Sequence, residues 1–122
     1  MTSRVVRLAD IATARSGDKG DLANIALFAP GDQLYAALLR EVTAERVRLH
    51  FGGFVRGAVE RFEVPNLRAL NFVLHQALDG GASRSLRSDA LGKSYGSLLL
   101  RLRVSLTEEE AAAAPTPQWP PD

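Results

Sequence analysis

Seven consecutive residues, Arg15-Ser16-Gly17-Asp18-Lys19-Gly20-Asp21, carry four charges, two glycines and no apolar side chain. The stretches on either side, 4–14 and Leu22 to Phe28, are rich in β-branched and small residues and read as strands. Opposite charges crowded this closely need a turn to fold back on, and the glycines supply the backbone freedom for one. Strand, charged glycine turn and strand make an antiparallel hairpin. The same glycines would let the backbone approach a ligand closely, so the run is a candidate binding loop as well as a connector with solvated charges.

Pro30-Gly31-Asp32 breaks the second strand and offers Asp32 as a helix cap, after which Leu34, Leu38 and Val42 recur at helical spacing to about Arg48. Gly52-Gly53 punctuates, residues 54–64 read as a strand, and Pro65-Asn66 closes it with Asn66 placed to cap the next helix. Leu67, Leu70, Leu74, Ala77 and Leu78 form one apolar stripe, which predicts that helix over 67–78 with Asn71 on its buried side and Gly80-Gly81 at its end. A short strand is expected at 83–88. From Leu91 onward both periods fit, and Asp89 as a cap favours a helix over about 91–101 followed by a brief strand to Leu106. Beyond Thr107 the glutamates, alanines and prolines offer nothing to pack, so 107–122 is expected to be a disordered tail with Trp119 as its one sticky residue. The domain proper is then 1–106. Its alternation of strands and helices points to the α+β class, a two-layer sandwich of mainly antiparallel sheet with helices on one face, for which ferredoxin-like is the nearest named architecture.

At 122 residues and 46% hydrophobic the chain has the length and content of one globular domain that buries a core without staples. The absence of cysteine excludes disulfides, thiolate metal sites and a thiol nucleophile, and fits a reducing compartment. No apolar run is long enough for a signal peptide or a membrane span, so the expected location is cytoplasmic. The net charge of +1 conceals an acidic tail, because residues 1–106 hold all fifteen basic groups against ten acidic ones. Such a body favours a small anionic ligand, while arginines spread along the chain without interleaved aromatics do not make a nucleic-acid surface.

Arg15 is a fork-shaped donor able to hold a carboxylate or phosphate bidentately, and the only two lysines, Lys19 and Lys93, are point charges beside glycines. An anion site follows from the three. Gly92-Lys93-Ser94 resembles the end of a phosphate-binding P-loop, but Arg87 stands where that motif needs a glycine, which rejects a nucleoside triphosphate site. Asp18, Asp21 and Asp89 could ligate a hard cation such as magnesium or serve as a base, although carboxylates at glycine turns more often accept backbone N–H groups or pair with arginine. His50 and His75 have no second histidine or acid at metal-ligand spacing, and Ser16 lies in no Gly-x-Ser-x-Gly elbow, so neither a zinc site nor a hydrolase nucleophile is expected. Asn24, sharing a strand face with Leu22, Ala26 and Phe28, and Asn71 are expected to be partly buried amides that brace the charged loop.

Residues 14–25, Pro65-Asn66-Leu67 with 70–74, and Leu86-Arg87-Ser88-Asp89 with Gly92-Lys93 together resemble the small AtuA-like domain, of a family named for acyclic terpene utilisation. The resemblance runs from the first strand to about Leu106 and leaves the tail outside. It implies a ferredoxin-like domain that follows a large domain in one polypeptide or occurs as a separate small protein, in a family linked to catabolism of acyclic terpenes and similar branched acids as acyl-CoA derivatives. The family's recurrent motif positions fall here on Arg15, Ser16, Gly17, Asp18, Lys19, Gly20, Asp21, Asn24, Asn66, Asn71, Asp89, Gly92 and Lys93. The expected partner is a large AtuA-like subunit, and the expected ligand is an anion such as a carboxylate or the phosphates of a coenzyme A thioester. No resident cofactor is expected, with magnesium left open, and no catalytic residue is assigned: the chain reads as an accessory subunit. A homo-oligomer is the base-rate expectation for a small open-sheet domain, with neither nucleic acid nor membrane as partner. The alternative is a non-catalytic assembly domain whose charged loop docks a partner protein.

Overall fold

The hairpin implied by the charged run exists, and more of the run is strand than the sequence suggests. The computed structural model describes residues 3–19, 22–77 and 94–115. Strand β1 (Ser3–Arg7) is followed by β2 (Thr13–Lys19) and β3 (Leu22–Phe28), and β2 pairs with β3 from Thr13↔Phe28 to Lys19↔Leu22. Arg15 to Lys19 therefore lie in a ladder, and only positions 20 and 21, outside the described residues, join the two strands. A polar strand is stable here because β2 is at the sheet edge, where charged side chains also discourage pairing with another chain. The segment 4–14 is likewise not one strand. A 3-10 turn at Leu8–Asp10, in which the Arg7 N–H donates to Asp10 Oδ2 at 3.3 Å, splits β1 from β2 and sends them to different sheets.

Next come α1 (Asp32–Glu41), α2 (Ala44–Phe51), β4 (Val59–Val64) and β5 (Ala69–Leu74). The single helix expected from Asp32 to about Arg48 is two. Thr43 Oγ1 accepts from the Arg46 N–H at 3.1 Å, a cap that starts α2 and ends the run at Val42. The N-cap of α1 is Gly31; Asp32 is the first helical residue, and Arg68 Nε donates to its Oδ1 at 2.7 Å. The helix expected over 67–78 is β5, an inner strand of the antiparallel sheet β2-β3-β5-β4. Asn66 caps no helix: it sits in a 3-10 turn, Pro65–Leu67, after which Arg68 takes a left-handed φ of 51° and reverses the chain. Leu70, Phe72 and Leu74 are all fully buried, so period 2 displaces the helical stripe that shares two of these leucines.

Helix α3 (Ser94–Leu99), β6 (Arg103–Thr107) and α4 (Glu108–Ala113) complete the described chain, and β6 pairs antiparallel with β1. The helix-then-strand reading of 91–106 agrees with α3 and β6. The strand expected at 83–88 lies outside the described residues. On one face of the larger sheet, Ala23, Ile25 and Leu27 of β3 meet Leu70, Phe72 and Leu74 of β5 in register. Leu34 and Leu38 of α1, Val47 and Phe51 of α2 and Tyr95 and Leu99 of α3 share that core. Arg61, on the same face of β4, donates Nη1 to the Leu39 and Val42 carbonyls at 2.8 and 3.1 Å, which satisfies the C-terminal end of α1. The fold is α+β, antiparallel sheet with helices on one face, as expected.

The first part of the expected tail is ordered by charge. Glu110 is only 7% exposed and receives both Nη1 and Nη2 of Arg40, at 2.8 and 2.7 Å, as well as the Thr107 N–H at 2.9 Å. Thr107 Oγ1 in turn accepts from the Glu110 N–H at 3.2 Å, a capping box that opens α4. The bidentate arginine holds the Glu110 carboxyl below the usual carboxylate range. Residues 116–122 lie outside the described residues.

Candidate functional site

Antiparallel register sorts the candidate residues by face. Opposite the helices, the sheet has rows that cross it from β2 to β4: Arg15, Ala26, Asn71 and Phe62 form one, and Gly17, Asn24, Val73 and Glu60 the next. No described element covers this face, and Phe62 at 48% exposed and Leu22 at 37% stand out from it. Arg15 and Asn24 are exposed and Asn71 is half-buried. Among the described residues none of the three makes a side-chain hydrogen bond or ion pair. Strands lie about 4.8 Å apart, so the Cα atoms of Arg15 and Asn71 are about 10 Å apart with Asn24 on the row between their reach and the hairpin end. One guanidinium and two amides thus share one face of the sheet on neighbouring rows.

Glycine at 17 has a local reason. Asn24 is its cross-strand partner, and a Cβ at Gly17 would stand 3.3 Å from Asn24 Oδ1, so the missing side chain leaves room for the amide. Asn24 is more exposed than the sequence suggests because its neighbours Leu22, Ala26 and Phe28 face away from the helices.

Alternation sends positions 16 and 18 across the strand from 15, 17 and 19. Ser16 faces the helix layer, where its Oγ accepts the Gly96 N–H at 3.2 Å and anchors the start of α3 to β2. Position 18 pairs with Ala23 of β3. Asn66 lies in the β4–β5 turn, at the end of the sheet away from the hairpin, and is not brought to the other candidates. Gly20, Asp21, Asp89, Gly92 and Lys93 lie outside the described residues. The chain that carries the last three leaves after Ala77 and returns at α3, where the Tyr95 hydroxyl donates to the Ala77 carbonyl, at the hairpin end of the sheet.

One residue that the sequence analysis set aside, His75, belongs to this neighbourhood. His75 has an acidic partner after all: its Nε2 is 2.9 Å from Glu60 Oε1. Both line a shallow groove of about 450 Å³ with Leu22, Gly57, Ala58 and Gln76. The pairing could be read only once 69–75 was known to run beside β4. His50 instead bonds the Leu98 carbonyl through Nε2 at 2.7 Å and ties α2 to α3. No group of three or more His, Cys, Asp or Glu able to hold a metal occurs among the described residues, and no described helix is long and apolar enough to cross a membrane.

Gly57 closes the groove with no room to spare, since its N–H donates to the His75 carbonyl at 2.9 Å and a Cβ there would stand 2.8 Å from both His75 Cβ and that oxygen. Backbone cannot yield as a side-chain tip can. Gly57→Ala is therefore expected to cost about 1–3 kcal/mol, seen as a lower melting temperature, whereas alanine at the open Gly53 costs little.

The family model of the AtuA ferredoxin-like domain matches residues 6–105. No curated protein and no solved structure matches the chain.

Proposed function

Given that the chain belongs to the AtuA ferredoxin-like domain family, we propose that it is a small module acting with a large AtuA-like partner in the catabolism of acyclic terpenes or related branched acyl-CoA and carboxylic acids. Its sheet face opposite the helices takes an anionic group of the ligand. The observation that supports this reading is the shared face of Arg15, Asn24 and Asn71, three polar side chains without partners among the described residues. The guanidinium offers two parallel N–H donors that match a carboxylate or phosphate edge, and each amide adds donors without adding charge. Lys19, two turns of the pleat from Arg15 on β2, and Lys93 supply further positive charge. Asp21 and Asp89 orient those cations or hold magnesium, Gly20 allows close approach, and Ser16 anchors the start of α3 to β2. The module works as an accessory subunit in the cytoplasm rather than as an independent enzyme.

Thermal melting tests it. Free coenzyme A, branched acyl-CoAs, short carboxylates and phosphate are added to the wild type, Arg15→Ala and Lys19→Ala. A ligand that binds only the folded state at 100 times its dissociation constant adds about 2.7 kcal/mol, a shift of several degrees for a domain this size. The shift is expected in the wild type and absent in Arg15→Ala, whose unliganded melting temperature stays close to that of the wild type. A panel without shifts, or shifts that Arg15→Ala retains, overturns the anion site.

Phe62 and Leu22 favour a second reading, in which the same face docks the large subunit. Exposed aromatic and aliphatic side chains among amides are the usual anchors of such contacts. Phe62→Glu then abolishes co-elution with the large subunit and leaves any ligand shift in place.

A further inference from the structure

The sheet order β2-β3-β5-β4 leaves β4 as an edge strand, with a row of backbone N–H and C=O groups that no described strand pairs. The other edges are blunted by charge or closed. Strand β1 carries Arg4 and Arg7 without an acid, and β2 carries Arg15 and Lys19 against the single Asp18. On β6 the Ser105 and Arg103 carbonyls accept from Arg40 and Arg46 at 2.9 and 2.6 Å, and the Ser105 N–H donates to Glu41 at 2.9 Å, so side chains of α1 and α2 occupy its free edge. Strand β4 instead reads Glu60-Arg61-Phe62-Glu63, with opposite signs on either side of an exposed aromatic ring. Arg61 and Glu63 lie on the helix side of the strand and Phe62 on the open face.

We infer that β4 pairs antiparallel with β4 of a second copy of this chain, about a two-fold axis through Phe62 that joins the two sheets edge to edge. Phe62 then lies directly opposite the second copy's Phe62, and Arg61 opposite the second copy's Glu63, the latter twice over by symmetry. The charges select this register. An axis through position 61 sets two arginines against each other, and an axis through 60 or 63 sets two glutamates, each a destabilising like-charge pair. Within one chain Arg61 Nη2 donates to Glu63 Oε2 at 3.0 Å, while Nη1 donates to the Leu39 and Val42 carbonyls. Among the described residues the guanidinium keeps its Nε proton and one Nη2 proton to give, and Glu63 Oε1 accepts nothing. The added pair thus has a donor already fixed in place, which limits the entropy lost on association. On the open face the two Phe62 rings form a cross-strand aromatic pair that shields apolar surface now in water. Arg15, Asn24 and Asn71 stay uncovered, so the pairing stands apart from the anion site.

The full chain by itself, without ligand or large subunit, tests this. Its mass in sedimentation equilibrium is expected to approach twice that of one chain as concentration rises. Glu63→Arg sets an arginine opposite each Arg61 and is expected to raise the dissociation constant about tenfold or more, while far-ultraviolet circular dichroism stays unchanged. Single cysteines read the register, because the chain has none of its own. In Phe62→Cys the two thiols face each other with Cα atoms about 5 Å apart, inside the range of a disulfide, whereas in Glu60→Cys they are about 14 Å apart along the strands. Mild oxidation is therefore expected to cross-link Phe62→Cys about tenfold faster or more than Glu60→Cys. A chain that stays monomeric at every concentration overturns the proposal. So does a dimer that Glu63→Arg leaves intact, or one whose cysteines at 62 and 60 cross-link at equal rates, since either puts the contact elsewhere.

Discussion

Phe72→Ala is expected to lower the stability of the protein by about 3–5 kcal/mol, while Val73→Ala, one residue on, costs about 1 kcal/mol. Phe72 is fully buried in the centre of β5 opposite Ile25, and Val73 is half-buried on the open face beside Asn24. A chain of this length has a total stability of about 6–18 kcal/mol, so the first substitution removes a large part of it. Urea unfolding measures both as changes in midpoint at constant slope. The comparison also tests the register. Were 67–78 the helix its leucines suggest, Phe72 would fall on the exposed side, 200° from both Leu70 and Leu74 at about 100° per residue, and its loss would cost little.

Ending the chain after Leu106 is expected to destabilise it by about 3 kcal/mol, and Glu110→Gln alone by about 2 kcal/mol. The reason is the bond set at Glu110, where Arg40 from α1 and the Thr107 N–H converge on one carboxylate. The figure for Glu110→Gln lies below the range for a fully buried pair because the Arg40 side chain is 44% exposed and water screens part of the interaction. The dependence on pH follows from the direction of the shift. The folded state holds the Glu110 carboxyl below its unfolded value, so its contribution is fully present above the ordinary carboxylate range and is lost as pH falls through the depressed folded value. The stability difference between wild type and Glu110→Gln should therefore be flat at neutral pH and shrink in acid. A difference that is constant down to strongly acidic pH, or a truncated chain as stable as the full one, would show that α4 is decoration.

Local signals in the sequence were enough wherever a short segment settles its own conformation. Pro30-Gly31 ends a strand and Gly52 takes a left-handed φ of 56° at the end of α2, both as punctuation predicts. Residues 69–74 were not legible because Leu70 and Leu74 satisfy periods 2 and 3.6 alike, and the choice is made by β3 and β4 pairing on either side. The order of α4 was hidden for a different reason. Its acids look like solvated charge until Arg40, seventy residues earlier, is brought beside Glu110. The same holds at the candidate site, where Arg15 was visible as a lone cation but its neighbours Asn71 and Phe62 share its row only through two intervening strands.

By itself the sequence determined the class of the fold, the early hairpin, the charged run with Arg15 and Lys19, and the family to which they belong, because glycines, charges and apolar periods act within a few residues of themselves. Only the tertiary structure decided that β5 is a strand, that Glu110 is buried, and that Arg15, Asn24 and Asn71 lie on one face that no described element covers. Each of these depends on partners distant in the chain, whose pairing and burial outweigh the preferences of the local segment.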